Sequence, residues 1–236
     1  MTCHSPMPDG FSSEVRMAPE QFSEYVSMVD SATRELHGEF EVKLGLESDW
    51  FPGMEPWLAE LHSRADFHFI LGSVHPFTRE YKEAFYDDNP AVFQSRYFSH
   101  LADSAESGLF DCLSHPDIVK VMLGHKWDFS ASTDAVDSAL KRISATGIAM
   151  ELNTSGLNKS YPEMNPGKTM LRMMRNLDIP LVVNSDAHTP ERVAADFDVA
   201  FDLLEEVGFS EICFFNDRKR FDVLISDVRN SMNFGI

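Results

Sequence analysis

Residues 180–192 read Pro-Leu-Val-Val-Asn-Ser-Asp-Ala-His-Thr-Pro-Glu-Arg. Pro180–Asn184 is a short apolar, β-branched run bounded by polar residues, which predicts a strand buried on both faces. Pro190 opens an amphipathic stretch that runs to Val207 and stops at Gly208, which predicts a helix. A buried strand followed directly by a helix is the unit from which parallel α/β folds are built. Working outward, the same unit recurs. Strands are predicted at Phe40–Leu46, Phe67–Val74, Leu109–Leu113, Ile148–Leu152 and Glu211–Phe215. Helices are predicted at Pro19–Leu36, Glu55–Arg64, Asn89–Ser107, Thr133–Ala145 and Pro166–Asn176. The alternation implies parallel strands with helical crossovers. No glycine-rich phosphate loop follows any strand, which favours a barrel over an open nucleotide-binding sheet. With no repeat, low-complexity tract or linker, residues 1–236 read as a single domain.

Composition bounds the function. The chain has 236 residues, 43% of them hydrophobic and 11% aromatic, enough to bury a sizeable core. It contains no long apolar run, so no membrane span is expected, and MTCHSPMPDG at the start has neither part of a signal peptide. Cys3, Cys112 and Cys213 lie far apart and fit buried thiols of a reducing cytoplasm better than a disulfide framework. Twenty Lys and Arg face 38 Asp and Glu, a net charge of -18 that argues against nucleic acid as a partner. Most of that charge is a solvated surface. Some carboxylates, together with several of the nine histidines, are candidates for binding divalent cations.

Five of the predicted strands end at or near a residue that can ligate a metal. His4 follows an apolar start, and Glu47, His75 and His115 close the next three strands. Glu151 and Asn153 close the fourth, and Asp186 and His188 follow Asn184. In parallel α/β folds these ends converge on one face. His4, Glu47, His75, His115, Asp186 and His188 are therefore expected at one mouth. Imidazole and carboxylate suit zinc, manganese or iron. Taken singly, each residue has an ordinary reading: Glu47 as a loop carboxylate, Asp186 and His188 as part of a helix start before Pro190. Their coincidence at successive strand ends favours the metal reading.

The ordered motifs His4-Ser-Pro-Met-Pro, Gly-Leu-Glu47, Gly-Ser-Val-His75, His115-Pro-Asp-Ile-Val-Lys, Glu-Leu-Asn153-Thr-Ser-Gly-Leu and Ser-Asp186-Ala-His188-x-Pro-Glu resemble the PHP (polymerase and histidinol phosphatase) superfamily. The histidinol-phosphatase-like branch is the nearest match, from Thr2 to about Arg220. The resemblance implies a distorted seven-stranded β/α barrel, TIM-like, with up to three divalent ions at its C-terminal mouth. It implies a cytoplasmic hydrolase, a phosphatase acting on L-histidinol phosphate in histidine biosynthesis through a metal-bound hydroxide. Carried over, one ion belongs to Glu47, His75 and His115, a second to Glu47 and Asp186, and a third to His4 and His188. Glu47, Asp186 and His188 are the residues expected to act in catalysis.

Two departures from the family pattern shape the expectation. The family opens with a strand bearing His-x-His, so this sequence reads as short of the first strand–helix unit, roughly 30 residues. A barrel without that unit exposes sheet edges, and a homo-oligomer is one way to cover them. Asn158 and Thr189 stand where arginines are frequent in this branch, leaving Arg16, Lys120, Lys159 and Arg192 as candidate phosphate-binding cations. Two alternatives accompany the phosphatase reading: a PHP domain that binds metal without catalysis, and another PHP phosphoesterase. The expected partner is a small phosphorylated metabolite.

Overall fold

The computed structural model describes residues 1–233. Six strands lie side by side in chain order: β1 (Thr2–His4), β2 (Gly45–Asp49), β3 (Phe69–Ser73), β4 (Cys112–Leu113), β5 (Ala149–Asn153) and β6 (Leu181–Asn184). Every neighbouring pair is parallel, and the sheet curls into a half-barrel, the β/α architecture expected from the alternation.

The helices between them are α1 (Phe22–Glu35), α2 (Glu55–His62), α3 (Arg79–Phe85), α4 (Pro90–Glu106), α5 (Val119–Leu123), α6 (Thr133–Thr146), α7 (Lys168–Asn176) and α8 (Phe197–Val207). Local chemistry sets their ends. Asn89 caps α4 by accepting from the Ala91 amide at 3.1 Å, and Pro90 occupies the first turn, where no amide proton is needed. Gly147 ends α6 at φ 73°, a left-handed conformation that favours glycine. Along α4, Phe93, Tyr97 and Leu101 recur every four residues with Phe98 and Ala102 beside them, so one face packs inward.

Both faces of the sheet are buried, as parallel sheets require. Outward-facing Leu46, Ile70, Leu113, Met150, Leu152, Leu181 and Val183 join the main core with the helices. Leu71, Cys112, Ala149 and Val182 face the inside of the curl and form a second, smaller cluster. Side chains two apart share a face. Toward the C-terminal ends, therefore, the inner face turns polar through Asp49, Ser73, Ser114, Glu151 and Asn184. An apolar floor thus lies beneath a polar rim.

Several elements differ from the sequence expectation. The strand predicted at Phe40–Leu46 forms at Gly45–Asp49, and Phe40 is an exposed loop residue. The helix predicted from Pro190 breaks: a 3-10 turn, Pro190–Arg192, is followed by Ala194 and Asp196 with positive φ before α8 begins. Thr154 donates to the Ala195 carbonyl at 2.7 Å and the Ala194 amide donates to Ser185 at 3.1 Å, which pins the break. Helices α3 and α5 had no predicted counterpart. Cys3 is exposed, whereas Cys112 and Cys213 are buried thiols.

The strand predicted at Glu211–Phe215 does not join the parallel ladder. β7 (Glu211–Asn216) pairs antiparallel with β8 (Lys219–Leu224), and α9 (Ile225–Asn233) follows. Asp217 and Arg218 both hold positive φ in the two-residue turn, the backbone that matches hairpin twist. Cys213 completes the apolar floor. The hairpin tip closes the end opposite the mouth. The Arg218 amide donates to the His68 carbonyl at 3.0 Å, its guanidinium pairs with Asp111 at 2.6 Å, and Lys43 donates to Asn216 at 2.6 Å.

Candidate metal centre

Glu47, His75 and His115 meet over the floor of the half-barrel, all buried. Glu47 Oε1 lies 3.1 Å from His115 Nε2 and 3.5 Å from His75 Nε2, and the two ring nitrogens are 3.3 Å apart. Ser73 donates to the same Glu47 oxygen at 2.7 Å. The other oxygen, Oε2, faces His4 Nε2 at 3.8 Å. A second group forms beside the first: His75 Nδ1 lies 2.7 Å from Asp49 Oδ1, and His4 Nδ1 lies 3.8 Å from that oxygen.

Glu151 supports the cluster from β5. It accepts from the His115 amide at 2.7 Å and from the side-chain amides of Asn184 at 2.7 Å and Asn153 at 3.1 Å. His115 itself holds φ 24° and Asp186 φ 45°, conformations that L residues rarely adopt and that functional sites often retain.

The electrostatics follow from burial and proximity. Burial alone would raise the Glu47 carboxyl, but hydrogen bonds from His115 and His75 and the charge of His4 hold it well below the usual range. Burial also works against a charged His75, yet Asp49 and Glu47 prevail and push it up to about 10. Glu151 goes the other way, raised chiefly by burial. Two histidines and two carboxylates compressed this way are held together by shared protons or by a cation.

The donor set fits a divalent ion. Atoms bound to one tetrahedral ion at about 2.1 Å lie about 3.4 Å apart. The triangle of Glu47 Oε1, His75 Nε2 and His115 Nε2 has edges of 3.1, 3.5 and 3.3 Å. His4 Nδ1, moreover, is buried without a hydrogen-bond partner.

Asp186 and His188 stand apart from these two groups, though they line the same mouth cavity of about 860 Å³. Asp186 Oδ2 accepts from Ser155 at 2.9 Å and lies 3.5 Å from Lys159 Nζ. The His188 side chain is 73% exposed, its Nδ1 3.0 Å from the Asp186 carbonyl oxygen. The segment after Asn184 is a loop, so strand alternation does not orient these two residues.

The four candidate cations divide. Lys159 lines the rim of an adjoining cavity of about 490 Å³ beside His4, His75 and His115. Arg16 borders it too, but its side chain is only 4% exposed and paired with Asp49 and with Glu80 at 2.7 Å, so its charge is committed. Lys120 is wholly buried and ion-paired with Asp117 and Glu163, each at 2.9 Å. Arg192 is paired with Asp196 at 2.6 Å. Lys120 is thus enclosed with its acidic partners, whereas Arg192 sits in a partly exposed i,i+4 pair.

Sequence reasoning missed Asp49 and the supporting role of Glu151. For Asp49 the signal was present: it lies two residues beyond Glu47 on one strand and so shares its face.

Fold and site together define a β/α barrel with a candidate metal centre at its C-terminal mouth. The model of the PHP domain family matches residues 1–155, and the chain belongs to the PHP family, in its histidinol-phosphatase-like branch. A probable histidinol-phosphatase from Deinococcus radiodurans is 32% identical over 226 residues, covering 90% of this chain and 83% of that protein. The histidinol-phosphatase of Bacillus subtilis is 24% identical over 217 residues, covering 79% and 80% of the two chains. A histidinol phosphate phosphatase from Lactococcus lactis, solved with zinc, L-histidinol and phosphate, superposes with a TM-score of 0.76 at 18% identity, covering 93% of this chain and 85% of that one. At that identity the likeness is one of fold. Among the described residues, no helix is long and apolar enough to cross a membrane.

Proposed function

We propose that this chain, as a single domain, is a metal-dependent phosphomonoesterase that converts L-histidinol phosphate to L-histidinol and phosphate. The observation that carries the reading is the ligand-spaced triangle of Glu47, His75 and His115 above a buried, polar-rimmed floor. The names of the relatives supply the substrate. Divalent ions at such a site would lower the pKa of a water and neutralise phosphate charge. Glu47, His75 and His115 would hold one ion, with Glu47 Oε2 and His4 turned toward another. Asp186 and His188, which line the same cavities as Glu47 and His115 without joining their group, would serve the phosphate side. Lys159, the candidate cation least committed to a partner, would orient the phosphate. Glu151 keeps the His115 backbone in its unusual conformation, so His115 presents Nε2 without reorganising. A cytoplasmic location and a place in histidine biosynthesis accompany this substrate.

The test uses purified full chain. Zinc, manganese and iron content and phosphate release from L-histidinol phosphate and other monoesters are measured before and after chelation. Bound metal and release that chelation abolishes are expected. No transition metal and no release from any monoester refute the reading. A second reading, metal binding without catalysis, is favoured by one observation: Asp186 and His188 join neither ligand group. It predicts one ion per chain and no effect of Asp186→Asn, whereas the phosphatase reading predicts a loss of turnover.

A further inference from the structure

We infer that Asp49 is a positioning residue that locks the His75 ring with Nε2 facing Glu47 and His115, and that Arg16 and Glu80 hold Asp49 to that task. The inference rests on the reading of Glu47, His75 and His115 as a metal-holding set. His75 has two ring nitrogens that engage separately: Nδ1 meets Asp49 Oδ1 at 2.7 Å, while Nε2 lies 3.5 Å from Glu47 and 3.3 Å from His115 Nε2. The hydrogen bond at one nitrogen decides which nitrogen offers its lone pair. The other Asp49 oxygen is taken by Arg16 Nε. Arg16 in turn ion-pairs with Glu80 of α3 at 2.7 Å and donates to the Ser12 carbonyl at 2.7 Å. The Asp49 amide donates to Ser5 at 3.1 Å. Glu80, Arg16, Asp49 and His75 thus form one chain, whose inner three side chains are each 4% exposed.

A competing arrangement would use Asp49 itself as a ligand, because His4, Asp49 and His75 also converge. The distances decide against it. Two donors on one tetrahedral ion sit about 3.4 Å apart, and the Asp49–His75 contact, at 2.7 Å, is that of a charge-assisted hydrogen bond. The His75–Glu47–His115 triangle instead has ligand spacing.

The test is a zinc titration of the full chain against a chromophoric chelator, paired with nitrogen-15 NMR of the histidine rings in the zinc-loaded protein. Asp49→Asn keeps an oxygen that can accept from Nδ1–H but loses the charge, and Asp49→Ala loses both. Zinc affinity should fall about 10-fold and about 100-fold respectively, the span typical of an outer-shell partner. Wild type and Asp49→Asn should show a proton on His75 Nδ1 and none on Nε2, and Asp49→Ala should lose that single pattern. Arg16→Lys, which can keep a contact to Asp49, should bind zinc more tightly than Arg16→Met, and this pair preserves the test if Asp49→Ala fails to fold.

Three outcomes overturn the inference: Asp49→Ala within about 2-fold of wild type, well below the outer-shell range; Asp49→Asn as damaging as Glu47→Gln, which makes Asp49 a ligand; or a proton on His75 Nε2 in the zinc form. Wild type that binds no zinc overturns the metal reading along with this one. Wild type that binds zinc with indifferent Asp49 variants overturns only the positioning role.

Discussion

Replacing Lys120 with methionine separates a structural cation from a substrate-binding one. Lys120 Nζ donates to Asp117 at 2.9 Å, to Glu163 at 2.9 Å and to the Met164 carbonyl at 2.6 Å, and its side chain has no exposed surface. Asp117 is equally buried but has other donors, the Gly167 amide at 2.9 Å and Asn165 at 2.7 Å. Glu163 is 43% exposed and can turn to water. Breaking a buried ion pair typically costs 3–5 kcal/mol. The donors left to Asp117 place Lys120→Met near the lower end, about 3 kcal/mol. At roughly 2.1 cal/mol/K per residue, the unfolding entropy of this chain is about 0.5 kcal/mol/K, so Tm should drop by about 6 °C. Thermal and urea unfolding measure the loss, and phosphate-release kinetics measure KM in parallel. Adding Asp117→Asn should recover part of the stability by removing the stranded charge. A Tm change below about 1 °C, or a several-fold rise in KM at unchanged Tm, would refute the argument.

Other expectations follow from the same geometry. Glu47→Gln should lower metal affinity by at least about 100-fold, beyond the loss of a merely supporting group, and metal analysis after dialysis reads this directly. Lys159→Ala should raise KM about 10-fold, the ~1.4 kcal/mol at the lower edge for a hydrogen bond to a charged group, with kcat less affected. His62, beside Ser48 at 2.8 Å, is pushed down to about 4, first by burial and then by Arg218. Above its ordinary value of about 6.5 it is neutral in folded and unfolded chain alike. As pH falls from there toward 4, the unfolded chain takes up a proton that the folded chain resists, so stability falls. Urea midpoints of the metal-free protein should therefore decline over this window more steeply than those of His62→Gln, and parallel curves would contradict the assignment.

Much of the fold could be read from local patterns. The strands at β3, β5 and β6 and the helices α4 and α6 announce themselves by apolar period and by Asn89 and Gly147 at their ends. The exceptions share a cause. Phe40–Leu46 reads as a strand, yet the true β2 runs through Glu47, Ser48 and Asp49, all buried. Polar residues enter a sheet interior only when partners from elsewhere satisfy them, and here those partners are Ser73, His62, His75 and Arg16. None of them is visible in the β2 sequence. The β7–β8 hairpin escaped notice because Asp-Arg is an uncommon turn pair and because Lys219–Leu224 is exposed along most of its length.

Sequence alone thus determined the order of the strand–helix units and the end of each strand on which ligand chemistry falls. Both depend on local period and on the shared direction of parallel strands. Tertiary structure decided which of those residues meet. It drew Glu47, His75 and His115 into one triangle, left Asp186 and His188 outside both ligand groups on the lining of the same cavity, and brought Asp49 to His75. It also assigned Arg16 and Lys120 to buried carboxylates. A charge or an imidazole is visible in a sequence, but its partner is chosen by the curl of the sheet and by loops distant in sequence, so only the folded chain shows which contacts remain free for chemistry.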